Sequence, residues 1–152
     1  MEPRWLTDEE QRAWRAYLAG NQRLTERLNR DLAPFDLSLA DYRILVMLSE
    51  APRMALRMSE LADGVLSSRS RLTHQIRRLE SDGLVTRSNC EEDGRGVRAH
   101  LTDEGMAKLR EAAPAHVDSV RSGFVDLLTP EDLRTVARIF AKVDAASGDA
   151  AS

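Results

Sequence analysis

Residues Met58 to Arg87 read MSELADGVLSSRSRLTHQIRRLESDGLVTR. The first eight, Met58 to Val65, carry Leu61 and Ala62 on one face and predict a short helix. Ser67 or Ser68 then caps a second helix, which runs to about Ser81 and is closed by Gly83, a residue suited to the left-handed position past a helix end. Within it Leu72, Ile76 and Leu79 lie at i, i+4 and i+7 and form the side to be buried. At about 100° per residue, the opposite face carries Ser70, His74 and Arg77, with Arg71, Thr73 and Arg78 on its flanks and Ser68 and Arg69 at its start. Four arginines and no acidic residue occur between Val65 and Leu79. Guanidinium forks, hydroxyls and an imidazole are the groups that reach base edges and phosphates in a DNA major groove. A plain alternative is an arginine-rich solvated face.

The flanking sequence favours the first reading. Leu84-Val85-Thr86-Arg87 and Val97-Arg98-Ala99-His100-Leu101 alternate apolar and polar residues with period two. They flank Glu91-Glu92-Asp93-Gly94-Arg95-Gly96, so a two-stranded hairpin with a charged tip is expected, the only β structure in the chain. Arg95 between two glycines has a shape able to enter the narrow minor groove. Upstream, Thr7 and Glu10 form a capping box for a helix reaching Pro34, and Ser38 opens another that Pro52 stops. Downstream, Thr102 caps a helix whose apolar stripe runs from Met106 through Val117 to Phe124 and Leu127. Pro114 inside it is expected to kink or split that helix. Thr129-Pro130-Glu131-Asp132 opens the last helix, with Leu133, Val136, Phe140 and Val143 along one side. Residues 147–152 are expected to be a disordered tail.

Composition narrows the class. The 152 residues amount to one domain, and Ala, Leu and Arg dominate while aromatics make up 5%. No apolar run reaches about 18 residues, so no membrane span is expected. Cys90 stands alone, which fits a reducing, cytoplasmic setting. The net charge is −3, but residues 66–101 hold seven arginines against five acidic residues. The acidity therefore lies outside the basic lobe. No glycine-rich phosphate loop or nucleophile elbow points to an enzyme, and no cofactor is implied. His74, His100 and His116 have no metal-ligand spacing, so no metal is expected. His74 is assigned to the basic face and His100 to the hairpin's outer side.

At Met58 to Arg87 and at Asp93 to Gly105 (DGRGVRAHLTDEG), the chain resembles the MarR family of winged helix-turn-helix transcriptional regulators. The resemblance implies a mainly α fold with a small β-hairpin wing. The winged lobe spans about 38–102, flanked by dimerisation helices at about 7–33 and 103–146 within a single domain, 1–146. It implies a homodimer on a palindromic operator in double-stranded DNA. Ser68, Arg69, Ser70, Arg71, Thr73, His74, Arg77, Arg78 and Arg98 are the expected contacts, with Arg95 in the minor groove oriented by Asp93. Position 71 is Arg where many relatives are small. The dimer also follows from physics, because the outer helices carry more apolar residues than one lobe needs, Trp14, Phe124 and Phe140 among them. A repressor or an activator is expected, the repressor first, and members of the family commonly respond to small aromatic or phenolic ligands. Trp14, Tyr17, Tyr42 and His116 are the candidates to line such a cleft, with ordinary packing as their alternative role. Two other readings are a redox response through Cys90 and a helical adaptor that binds no DNA.

Overall fold

Thr7 Oγ1 accepts from the Glu10 N–H at 3.2 Å while Glu10 Oε2 accepts from the Thr7 N–H at 2.8 Å, and this reciprocal cap starts α1, Asp8–Leu32. Ser38 and Asp41 repeat the device at 3.0 and 2.8 Å for α2, Leu39–Glu50. The remaining order is β1 (Ala55–Arg57), α3 (Met58–Val65), α4 (Arg69–Ser81), β2 (Val85–Asn89), β3 (Val97–Leu101), α5 (Asp103–Gly123) and α6 (Pro130–Ala150). The computed structural model describes residues 1–65, 67–89 and 96–150, with the backbone alone at 149 and 150. No helix among them is long and apolar enough to cross a membrane.

The sheet has three strands, not the two expected, in the order β1-β3-β2 with both pairings antiparallel. β1 escapes a reading by pattern because three residues show no alternation and Ala-Leu-Arg has no β-branched member. It exists because Ala55, Leu56 and Arg57 pair with His100, Ala99 and Arg98 of β3.

The core lies in the lobe formed by α2, α3, α4, the sheet and the first half of α5. Ile44, Leu45, Leu48, Leu61, Leu72, Ile76, Leu79 and Ala99 are fully buried there. The stripe read from α4 is thus the side that packs. Gly83, at φ +79°, lets the chain turn out of α4, with the Leu84 N–H donating to the Leu79 carbonyl at 2.9 Å. Thr102 then locks the wing to α5. Its hydroxyl donates to the Gly83 carbonyl at 2.7 Å and accepts from the Gly105 N–H at 2.9 Å, while its own N–H donates to the Leu84 carbonyl at 3.1 Å.

Two expectations fail in the C-terminal arm, the helical stripe as far as Leu127 and the disordered tail, while the kink-or-split expected at Pro114 is not a split. Pro114 does not split α5, which continues through it. Packing on both sides of the proline holds the helix: Leu109 and Ala112 are buried in the lobe, and the Ser119 hydroxyl donates to Asp31 of α1 at 2.6 Å. The break comes instead at Phe124, where φ is −144° and ψ −67°, so Phe124 and Leu127 lie beyond the helix whose stripe they were expected to extend. The chain also stays helical past Ser147 to Ala150, since Ala145 and Ala146 favour the helix and no proline interrupts it. No residue of α6 from 130 to 148 is buried.

Candidate nucleic-acid interface

Ser68 caps α4 by accepting from the Arg71 N–H at 3.2 Å. With Leu72, Ile76 and Leu79 turned inward, Arg69, Ser70, Arg71, His74 and Arg77 are left exposed on the outer side. The one acidic residue in α4, Glu80, is held by Arg87 of β2 at 2.9 and 3.2 Å. That hydrogen bond keeps its carboxyl below the usual carboxylate range and directs its charge toward the wing. The outer face of α4 therefore presents cations and hydroxyls without a competing anion.

Two expected contacts are placed differently. Thr73 is half-buried, and its hydroxyl donates back to the Arg69 carbonyl at 2.8 Å. Arg78 turns its guanidinium away from the outer face and pairs with the buried carboxylate of Asp41. It differs from its neighbour Arg77 because α2 offers an acceptor on one flank of the helix only. Asp93, Arg95 and Cys90 lie outside the described residues. Gly96 adjoins that segment at φ +89°, and Asn89 pairs with Val97 at the outer end of the hairpin.

One residue missed by pattern is Arg57. The register places it directly opposite Arg98, so two guanidinium-bearing side chains sit side by side where β1 meets β3. Like charges directly opposite each other on neighbouring strands repel. A half-open cavity of about 330 Å³ separates α4 from the outer part of the wing, lined by Arg57, Ser59, Arg69, Thr73 and Gly96 among others. The clue in the sequence is an arginine directly before a short helix, but its placement depends on the unseen strand.

The four aromatic and imidazole candidates form two groups in this chain. Tyr42 and His116 stack with ring centroids 4.1 Å apart, joining α2 to α5. Trp14 and Tyr17 lie along α1, where Tyr17 meets Phe140 of α6 at 5.4 Å. His100 accepts or donates at 2.7 Å to Ser88 across β2 and β3, a strand-to-strand tie on the wing.

Burial lowers the pKa of His116, whose Nδ1 is buried without a hydrogen-bond partner. The unfolded chain, with a histidine near the ordinary value of about 6.5, then takes up the proton first as pH falls. Stability contributed by neutral His116 is thus full above that value and declines below it. The melting midpoint should drop between pH 7 and 5, and His116→Phe, which keeps the ring stack, should flatten that dependence. Parallel curves for the two proteins would contradict the assignment.

Comparison with known proteins agrees with this architecture. A sequence profile described as the MarR family matches residues 37–97. AbsC, a MarR family transcriptional regulator from Streptomyces coelicolor, is 48% identical, superposes with a TM-score of 0.92, and the match covers 97% of this chain and 99% of AbsC. Sco3205 from the same organism, solved in complex with DNA, is 46% identical over 93% of this chain and 89% of its own, with a TM-score of 0.90. PecS of Dickeya dadantii, an HTH-type transcriptional regulator, is 32% identical over 68% of this chain, and the chain spans 60% of that regulator's length. These relatives are transcriptional regulators and not enzymes, and with a winged helix-turn-helix lobe between two helical arms, the chain belongs to the MarR family of transcriptional regulators.

Proposed function

We propose that this regulator binds a palindromic operator as a homodimer, with α4 in the major groove and the wing in the adjoining minor groove. The observation that carries the reading is the outer face of α4, where Arg69, Ser70, Arg71, His74 and Arg77 are exposed while the helix's one acid, Glu80, is paired with Arg87. The sugar-phosphate strand that separates the two grooves must pass between α4 and the wing. That path crosses the cavity lined by Arg57, Ser59 and Arg69, which gives those residues the role of phosphate contacts. Arg98, next to the Asn89–Val97 pair at the outer end of the hairpin, adds to the footprint, and Arg95 and Asp93 complete it as the family motif implies. In this role the protein acts in the cytoplasm, as a repressor relieved by a small aromatic ligand held near Tyr42 and His116.

Titration of the protein against DNA from upstream of its own gene tests the reading. A specific complex whose affinity falls steeply with salt is expected. Arg69→Ala should weaken it by about tenfold and lower the salt slope by about one. A protein that forms no salt-sensitive specific complex, or one that Arg69→Ala leaves unchanged, would sink the proposal and favour an adaptor role.

A further inference from the structure

Asp41 is the one fully buried charged side chain among the described residues. Its Oδ2 accepts the Ser38 N–H at 2.8 Å, closing the cap of α2, and its Oδ1 accepts the guanidinium of Arg78 in α4. Taking a carboxylate and part of a guanidinium out of water is costly, and apolar residues of similar volume commonly stabilise a fold as well or better. What an ion pair supplies that Leu72, Ile76 and Leu79 cannot is direction, since apolar packing tolerates sliding and rotation while a fork on a carboxylate does not. Its position also matters. Arg78 follows Arg77 of the exposed face and stands one turn beyond His74. On the α2 side, Tyr42 follows Asp41 and stacks on His116 of α5. The first turn of α2 is thereby pinned to the recognition helix by one residue and to the C-terminal arm by the next.

We infer that Asp41 is a positioning residue for DNA recognition: through Arg78 it fixes the rotation and depth of α4 against α2 and the arm. This rests on the proposed operator binding, and touches no DNA itself. The pair sets which bases α4 meets, not how strongly phosphates attract the protein. Its loss should therefore lower specific affinity more than non-specific affinity.

The test uses the full chain, an operator duplex from its own upstream region and an unrelated duplex of equal length, over a series of salt concentrations. Asp41→Asn keeps the volume and can still accept the Ser38 N–H. Arg78→Gln removes the other charge. Each should remain folded at 25 °C, reduce the ratio of specific to non-specific affinity by about tenfold, and leave the salt slope unchanged. The double variant should be no worse than the weaker single one, because one interaction is lost once. If Asp41→Asn does not fold, Arg78→Lys, which keeps the charge and loses the fork, should give the same fall in ratio. An unchanged ratio in the folded variants overturns the inference. So does an Arg78→Gln protein that weakens both duplexes equally with a slope reduced by about one, which would make Arg78 a phosphate contact. A parent that binds no operator would refute the proposed function instead.

Discussion

Gly105→Ala is expected to lower the melting midpoint by roughly 10 °C, the shift that about 3 kcal/mol of overpacking produces in a chain of this size. A Cβ at Gly105 would stand 2.2 Å from the Leu84 carbonyl oxygen and 2.6 Å from Leu101 Cδ1. The Leu101 methyl can swing aside, but the carbonyl cannot. Leu84 is backbone, and its carbonyl already accepts the Thr102 N–H at 3.1 Å. Relief requires α5 to move away from the end of α4, which breaks the Thr102 bonds to Gly83 and Leu84 and loosens the wing together with the arm. Gly83→Ala is the useful contrast. Nothing lies within 4 Å of its added carbon, so only the strain of φ +79° remains, about 1 kcal/mol. A thermal melt of the two variants beside the parent decides: equal midpoints for Gly83→Ala and Gly105→Ala would show that the close approach costs nothing. Operator affinity at 25 °C should fall for Gly105→Ala as well, because the joint it spreads is the one that aims the wing.

The same joint explains what could be read in the sequence. The Leu-Thr-x-x-Gly spacing, met by Leu101, Thr102 and Gly105, marks a place where side chain, cap and missing Cβ must coincide, and all three are local. So are the capping boxes at Thr7 and Ser38 and the 3.6-residue stripe of α4, where Leu72, Ile76 and Leu79 are buried as expected. What escaped is decided at a distance. β1 is a strand only because β3 lies beside it, and Arg57 joins the interface only through β1. Arg78 looks like its neighbour Arg77 on a helical wheel, yet a carboxylate 37 positions earlier redirects it. Pro114 obeys the local rule in isolation, but contacts from Leu109 to Ser119 hold the helix across it. Trp14 and Tyr17 share aromatic character with Tyr42 and His116, but they sit on α1 against α6 while the other pair bridges α2 and α5.

Converting Ile139 and Val143 together to aspartate should abolish the proposed dimer and weaken operator binding by about 10² to 10⁴, the advantage of two linked half-site contacts over one. The two residues lie four positions apart on one side of α6, and both are exposed in the isolated subunit. α6 buries no residue there, and its ring contact to the subunit body runs through Phe140 and Tyr17. Trp14, Leu18, Val117 and Leu127 add further exposed apolar side chains on α1, α5 and the segment before α6. A soluble chain seldom leaves so much apolar surface on its arms unless a second copy covers it. Because Ile139 and Val143 face solvent in the single subunit, aspartate there should leave the winged lobe folded, with Leu72, Ile76 and Leu79 undisturbed. Sedimentation velocity should then report half the parent's mass, while residual DNA binding at high protein concentration keeps its salt dependence, since α4 is intact. If the double variant sediments as the parent does and binds the operator equally well, the α6 face is not the contact between copies, and the spacing of the two recognition helices must be set elsewhere.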